Sequence, residues 1–316
     1  MTGVFLSQTV WDTRGDAVRA LVPGCDELVF RPGARVSADE IERIEVASLS
    51  DDLWPDHSAS FMRVCLDAPN LRWLHTFSAG VDHPIFRMFL DRGVRLSNSS
   101  GAAARSIAHH VVLSVLAMRR DLPATLRDQA AHVWNVHDVD DVEGTVVAVI
   151  GMGPIGIESA RLLGELGMRT IGMRRTVAGD EPCETWTFDR LGELLAMADT
   201  IVLAVPLTPD TAHLIDATAI ASMRPGVHLV NVGRGGLVDE PALVYALRSG
   251  QVGFAALDVT EVEPLPTESA LWDLPNVIIT PHTSGATRSN RQRAGDVFVD
   301  NLGRFMRDEA LRNEVT

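Results

Sequence analysis

The sequence predicts an α/β protein made of two doubly wound parallel-sheet domains. Three observations carry that expectation. A glycine-rich strand-to-helix turn lies near mid-chain, short apolar runs alternate with helical segments on both sides of it, and the chain is 316 residues long. That length can bury a large core and is more than one domain usually holds.

The turn comes first because it constrains most. Thr145-Val-Val-Ala-Val-Ile150 runs into Gly151-Met-Gly-Pro-Ile-Gly156. The residues before the first glycine suit a strand buried on both faces. Those from Ile157 to Leu166 have helical spacing and good helix formers. Strand, G-x-G-x-x-G and helix in that order set backbone N–H groups and the positive end of a helix dipole against a pyrophosphate. A glycine-rich turn also serves plain packing, and only the flanking strand and helix make this one a dinucleotide site. Nearly half the chain precedes it, so another structure is built first.

In that preceding half, Gly3 to Ser7, Glu27 to Phe30, Ile44 to Ala47, Leu71 to Thr76 and Val94 to Leu96 read as strands. Helices are expected over parts of 14–21, 58–67 and 84–91, giving a small parallel α/β domain. A long helix from about Ala102 to Arg119 follows, apolar on nearly all sides, as in helices buried between domains or subunits. From Thr145 six strands are expected, at 145–150, 169–173, 200–205, 227–231, 253–257 and 276–280, with helices between them. A last helix over about 288–307 is expected to return to the first domain. The predicted boundaries are therefore 1–100 with 288–316 for one domain and 101–287 for the other. The acidic stretch Asp138 to Glu143 reads as a solvated loop entering the second.

Composition excludes several function classes. The hydrophobic fraction of 46% is that of an ordinary globular protein. The most apolar stretch, Ile107 to Met118, is interrupted by His109, His110 and Ser114 and is not expected to span a bilayer. The first residues lack a basic segment followed by an apolar one, so no signal peptide is expected. Cys25, Cys65 and Cys183 have neither metal nor disulfide spacing and read as reduced thiols of a cytoplasmic protein. A net charge of −14 argues against nucleic acid as a partner. An anionic substrate would then need local arginines. All 28 basic residues are arginine. Without lysine, Schiff-base chemistry, a Walker lysine and any lysine general base are excluded. Tyr245 is the single tyrosine, and with no lysine the Tyr-x-x-x-Lys pairing of short-chain dehydrogenases is excluded too.

Three downstream segments end predicted strands: Asn231-Val-Gly-Arg-Gly-Gly-Leu-Val-Asp-Glu240, Ala256-Leu-Asp-Val-Thr-Glu-Val-Glu-Pro264 and Thr280-Pro-His-Thr-Ser-Gly285. Carboxyl ends of strands are where open α/β sheets bind ligands. A protonated histidine there can give a proton to a carbonyl oxygen as hydride arrives from a nicotinamide. A neighbouring carboxylate would raise its pKa. An arginine would clamp a substrate carboxylate with two hydrogen bonds. Singly, each has an ordinary alternative: Arg234 a surface ion pair, Glu261 and Glu263 a solvated loop, His282 a satisfied strand-end side chain. Together, in order and behind a dinucleotide turn, they form a catalytic constellation.

At these residues the chain resembles the D-isomer-specific 2-hydroxyacid dehydrogenases, most of all the glyoxylate and hydroxypyruvate reductases. The likeness extends over Ser78-Ala-Gly-Val-Asp82, Ser100-Gly101 with Ala108-His-His110, the glycine turn, Leu203-Ala-Val-Pro-Leu-Thr-Pro-Asp210 and the three segments above. It implies a Rossmann-type cofactor domain inserted into a smaller flavodoxin-like substrate domain, with substrate between the two and the domains closing over it. It implies Arg234 as the carboxylate-binding arginine, Glu263 as the partner carboxylate and His282 as the acid/base, with Ala79 and Gly80 offering backbone N–H groups to substrate. The resemblance implies Glu263 rather than Glu261, because the family pattern has its Glu directly before the proline, here Pro264, five residues past Asp258. The cofactor contacts implied are Gly151, Gly153, Pro154, Ile155, Gly156, Arg174, Arg175, Thr176, Val205, Pro206, Thr211, Val232, Gly233, Asp258, His282 and Gly285.

The chain departs from the family pattern at His109-His110, where Glu-His is common. Adjacent histidines face different sides of a helix, so packing or an interface contact is expected rather than a metal pair. The resemblance to glyoxylate and hydroxypyruvate reductases implies that Trp134 reaches toward a partner subunit's active site, with core or interface packing as the alternative. The apolar helix over 102–119 suggests a homodimer, or burial between the chain's own domains. At the second strand of the cofactor domain, Thr170-Ile-Gly-Met-Arg-Arg-Thr176 puts Arg174 where NAD enzymes carry an acidic residue for the ribose 2′-hydroxyl. Arg174 and Arg175 suit a 2′-phosphate, so NADP is expected in preference to NAD, with either-cofactor use as the alternative. The expected function is reduction of a small 2-oxo acid such as glyoxylate or hydroxypyruvate. A phosphoglycerate dehydrogenase and a dinucleotide-sensing corepressor stay open as alternatives.

Overall fold

In the computed structural model, which describes residues 1–315, the chain divides into two compact units. One is Met1–Ala103 together with the segment from Ala286 onward; the other is Ala104–Gly285.

The first unit opens with β1 (Gly3–Ser7), α1 (Gln8–Leu21), β2 (Asp26–Phe30), α2 (Ala38–Arg43), β3 (Ile44–Leu49), α3 (Ser58–Asp67), β4 (Trp73–Thr76), α4 (Pro84–Asp91) and β5 (Arg95–Asn98). Local signals start these helices: the Ser7 hydroxyl accepts the Val10 N–H at the head of α1, and Ser37 with Glu40 closes a capping box on α2. The second unit continues with α5 (Ala104–Arg119), α6 (Leu122–Ala130), β6 (Val146–Ile150), α7 (Pro154–Glu165), β7 (Arg169–Met173), β8 (Glu184–Trp186), α8 (Leu191–Met197), β9 (Thr200–Leu203), α9 (Ala217–Ser222), β10 (Val227–Asn231), α10 (Glu240–Ser249), β11 (Val252–Leu257) and β12 (Val277–Ile279). The chain then returns to the first unit as α11 (Arg288–Met306) and β13 (Glu314–Val315).

The first sheet runs β13-β5-β4-β3-β1-β2, a flavodoxin-like order with one added edge strand. Its two faces bury separate clusters. Phe5 and Phe61 stack on one face with ring centroids 5.0 Å apart, and Trp73 stacks on Phe298 of α11 at 5.5 Å on the other. Arg14 of α1 holds Asp296 of α11 at 2.9 Å, tying the C-terminal helix to this unit. Beneath α11, Trp73 Nε1 donates to Ser97 Oγ at 2.9 Å, while the His75 ring lies within hydrogen-bond reach of Ser97 and Ser99. Burial pushes His75 down to about 3, so this network stays uncharged.

The second sheet runs β12-β11-β10-β9-β6-β7-β8, all parallel, the order of a Rossmann-type sheet. Strand order reverses between β6 and β9, so the crevice at their carboxyl ends is the expected ligand position.

Four elements depart from the sequence reading, the first being α6 (Leu122–Ala130), a short helix that the sequence reading does not place after Arg119. The second unit has a seventh strand, β8, whose three residues pair with Ile171–Met173; a run so short has no measurable period. Helix α2 has no buried residue and so presents no apolar stripe. At the edge of the first sheet, β13 pairs antiparallel with β5, fixed by a contact of 2.6 Å between Arg95 Nε and Glu314 Oε1 that no local pattern announces.

Candidate active site

Each candidate side chain of the second unit sits where a strand ends. Gly151 follows β6 with φ +106°, and a Cβ there would meet the Ala204 carbonyl at 2.7 Å, so only glycine lets the turn pass the end of β9. Gly153 is the N-cap of α7 and faces open space; Pro154 follows as the first helical residue, where its missing N–H is no loss. No side chain caps this helix start among the described residues. The N–H groups of Ile155 and Gly156 lie in the first turn, where the helix offers them no partner. An open glycine shelf in front of an uncapped helix start fits a pyrophosphate.

Around this shelf, Val205 and Val232 are buried, and the Gly233 backbone passes so close to the Val205 carbonyl that a Cβ would stand 2.8 Å away. Thr211 donates its hydroxyl to the Pro206 carbonyl at 2.7 Å and accepts the Thr208 N–H at 2.8 Å, which shapes the loop after β9. Beyond β7, Arg174 is half-buried and donates to Glu181 at 2.8 Å, whereas Arg175 and Thr176 are exposed.

The turn after β10 presents Arg234. Asn231, fully buried, clamps that turn: its Oδ1 accepts the Gly233 N–H at 3.0 Å and its Nδ2 donates to the Arg234 carbonyl at 2.9 Å. The next residue, Gly235, lies against the Thr260 carbonyl, where a Cβ would clash at 1.9 Å. That close approach brings the arginine turn alongside the loop after β11. There Thr260 N–H donates to Glu263 Oε1 at 3.2 Å, and Glu263 Oε2 lies 2.8 Å from His282 Nδ1. Glu261, two residues earlier, instead holds His213 at 2.6 Å.

His282 has a left-handed backbone, φ +53°, uncommon for a residue with a side chain. Its N–H is held by the Asp258 and Thr280 carbonyls at 2.8 and 2.9 Å. The buried Asp258 carboxylate fixes the same loop by accepting from Thr280 Oγ1 at 2.6 Å, Thr283 N at 2.9 Å and Ser284 N at 3.1 Å. Gly285 ends this loop and closes the second unit. His110 Nε2 approaches Thr280 Oγ1 at 3.4 Å from α5; His109 is exposed on the same helix.

The electrostatics follow from these contacts. The hydrogen bond to Glu263 raises the His282 pKa above its ordinary value, outweighing burial and the nearby Arg234 charge, which lower it. Burial pushes Glu263 up, but the bond to His282, the two charges and the Thr260 N–H together leave it below the usual carboxylate range. The pair therefore favours imidazolium beside carboxylate. With Nδ1 directed at Glu263, Nε2 is the nitrogen available to a ligand.

In the first unit, Ser78-Ala79-Gly80 lies just beyond β4. Ser78 Oγ donates to the Gly80 carbonyl at 2.9 Å, and Asn98 Nδ2 donates to the Ala79 carbonyl at 2.9 Å, which holds this turn in one shape. The residues that sequence reasoning missed are positioning groups: Asn231, Thr260, Thr280, His213 and Glu181. Asn231 alone carried a local signal, an Asn two residues before a glycine at a strand end, the pattern of a side chain closing its own turn.

Comparison with known proteins identifies the family and the fold. The profile of the D-isomer specific 2-hydroxyacid dehydrogenase NAD binding domain matches residues 112–284. A glyoxylate reductase of Thermofilum pendens is 31% identical over 250 residues, 77% of this chain and 74% of that protein. A D-3-phosphoglycerate dehydrogenase of Methanocaldococcus jannaschii is 31% identical over 298 residues, 93% of this chain and 52% of that protein, so the chain spans about half the length of that relative. Among solved structures, a D-isomer specific 2-hydroxyacid dehydrogenase from Xanthobacter autotrophicus in complex with NADPH and MES superposes with a TM-score of 0.82. It is 30% identical, with 100% of this chain and 98% of that one covered. The chain belongs to the D-isomer specific 2-hydroxyacid dehydrogenase family, and its second unit is that family's nicotinamide-dinucleotide-binding domain.

Proposed function

We propose that this protein reduces a small 2-oxo acid of the glyoxylate or hydroxypyruvate type to a D-2-hydroxy acid, with NADPH preferred to NADH. The observation that carries the chemistry is the His282–Glu263 contact of 2.8 Å beside Arg234. A bound nicotinamide would be the source of the hydride taken up by the substrate carbonyl carbon. His282 Nε2 gives the carbonyl oxygen its proton, and Glu263 stabilises the imidazolium from which that proton leaves. Arg234 binds the substrate carboxylate and draws electron density from the carbonyl. The N–H groups around Ala79 and Gly80 are assigned to the same carboxylate on the family likeness.

The glycine shelf of Gly151, Gly153, Pro154, Ile155 and Gly156 is assigned to the pyrophosphate, and Val205, Pro206, Thr211, Val232, Gly233, Asp258 and Gly285 to the nicotinamide side. Arg174, Arg175 and Thr176 stand in the sequence positions after β7 where NAD enzymes carry an acidic residue, which supports the NADP preference. The NADPH bound in the Xanthobacter relative points the same way. Comparing kcat/KM for NADPH and NADH tests it, and a preference for NADH contradicts it.

A homodimer belongs to the same proposal. Trp134 is 99% exposed in a loop whose neighbours Val133 and Val136 are exposed too, and Leu113, Leu122 and Leu126 add apolar surface on α5 and α6. A cytoplasmic location is supported by three unpaired cysteines.

The phosphoglycerate dehydrogenase relatives motivate a second reading, oxidation of a phosphorylated 2-hydroxy acid. Oxidation of NADPH with glyoxylate, hydroxypyruvate and phosphohydroxypyruvate as substrates decides between them. The first reading expects the two unphosphorylated acids to be turned over with the higher kcat/KM.

A further inference from the structure

The loop that leaves β7 closes on a carboxylate that the cofactor assignment above does not use. Arg174 Nη1 donates to Glu181 Oε1 at 2.8 Å, the Ala178 N–H donates to the same oxygen at 2.7 Å, and the Gly179 N–H donates to Oε2 at 2.8 Å. The Glu181 side chain is 3% exposed. Its ionisation is secured by the Ala178 amide foremost, with the Gly179 amide and Arg174 adding to it; against burial these bring its carboxyl down to about 2. Three donors converging on one buried carboxylate join residue 174 to residues 178 and 179. Arg175, Thr176 and Val177 are the exposed residues between those anchor points.

We propose that Glu181 is a positioning residue for the cofactor's 2′-phosphate: it holds Arg174 as a strut and closes the 174–181 loop so that Arg175 and Thr176 meet the phosphate. The inference rests on the NADP reading given above. It also redistributes the roles within it. Arg174 shares its charge with Glu181, so the larger part of the attraction falls to Arg175, with the Thr176 hydroxyl as a neutral donor.

The geometry makes a prediction of unusual sign. A carboxylate near an anion site weakens anion binding through Coulomb repulsion. If charge were its whole contribution, Glu181→Gln would tighten 2′-phosphate binding. If Glu181 positions the loop, Glu181→Gln weakens it, because the single amide oxygen cannot accept from all three donors and in either orientation the amide N–H groups face one of the two backbone N–H groups.

The experiment is isothermal titration of the full chain with adenosine 2′,5′-bisphosphate and, separately, with 5′-AMP, which lacks the 2′-phosphate. The wild-type protein is expected to bind the bisphosphate more tightly. In Glu181→Gln, bisphosphate affinity should fall about tenfold while 5′-AMP affinity changes by less than about twofold. Unchanged or tighter bisphosphate binding, or an equal loss of both ligands, overturns the positioning role. A wild-type protein with no preference for the bisphosphate sinks the cofactor reading itself, and this inference with it. Should Glu181→Gln fail to fold, Arg175→Ala and Arg174→Gln carry the test. Glu181 keeps two backbone donors without Arg174, so Arg175→Ala is expected to lose more bisphosphate affinity, and the reverse order contradicts the proposal.

Discussion

The backbone N–H of His282 is held 2.8 Å from the carbonyl oxygen of Asp258, and the Asp258 carboxylate collects the next two amides, Thr283 and Ser284. One buried residue at the end of β11 thus fixes the left-handed turn that carries the imidazole beyond β12. Asp258 acts on the site by fixing where His282 stands, whatever else it touches.

Asp258→Asn is expected to destabilise this loop, because one amide oxygen replaces two charged acceptors and the amide N–H faces backbone donors. Unfolding of the second unit in denaturant should show a loss of about 2 kcal/mol. Turnover should fall further than dinucleotide affinity, because the loss of the turn misplaces His282 as well as the nicotinamide side of the site. Unaltered stability would show that the carboxylate is not the anchor of the turn.

Glu263→Gln is expected to change the pH profile before anything else. The folded protein holds the His282 pKa above its ordinary value through Glu263. Reduction needs imidazolium, so in the wild type its rate persists at low pH and is lost as pH rises through the raised value. The stability contributed by the pair is full between the ordinary carboxylate and ordinary histidine values; it is lost as pH rises through the raised His282 value and as pH falls through the lowered Glu263 value. Without the carboxylate, burial and Arg234 both act downward on the imidazole, so the falling limb of kcat/KM should move to lower pH. An unmoved limb separates Glu263 from the titration.

Arg234→Lys is expected to lower kcat/KM for 2-oxo acids about a hundredfold or more, because an ammonium cannot reproduce the two-pronged contact with a carboxylate. Dinucleotide affinity should stay within about twofold of wild type. Near-wild-type activity in Arg234→Lys would mean that charge alone suffices there.

Trp134→Asp is expected to shift the protein toward monomer, since an exposed indole among exposed valines is replaced by a charge in an apolar interface. Sedimentation velocity at micromolar concentration reads this directly. A wild-type protein that sediments as a monomer contradicts the dimer.

What the sequence made legible follows from the reach of its signals. The strand, glycine turn and helix over 145–166 are contiguous, so their period and turn chemistry are visible locally, and β6 and α7 stand at 146–150 and 154–165. The pairing of β13 with β5 joins residues more than two hundred positions apart and is held by contacts between them, Arg95 with Glu314 and Asn313 with Asn98, that have no periodicity of their own. Among charged groups, the choice between Glu261 and Glu263 depends on which carboxylate the loop after β11 turns toward His282. The family pattern, a Glu directly before Pro264 and five residues past Asp258, pointed to Glu263, while the partner of Glu261, His213, comes from a different strand end. The Glu181 contact was hidden for a related reason: a loop folding back on itself leaves no apolar pattern, only an acidic residue that looks solvated.

The most direct test of the account is the rate of NADPH oxidation with glyoxylate and hydroxypyruvate, measured for the wild type and His282→Gln alongside dinucleotide affinity. The account predicts that the wild type turns over at least one of these acids and that His282→Gln loses about a thousandfold or more in kcat with dinucleotide affinity nearly intact. Substantial turnover by His282→Gln, or lost dinucleotide affinity with retained turnover, would contradict it.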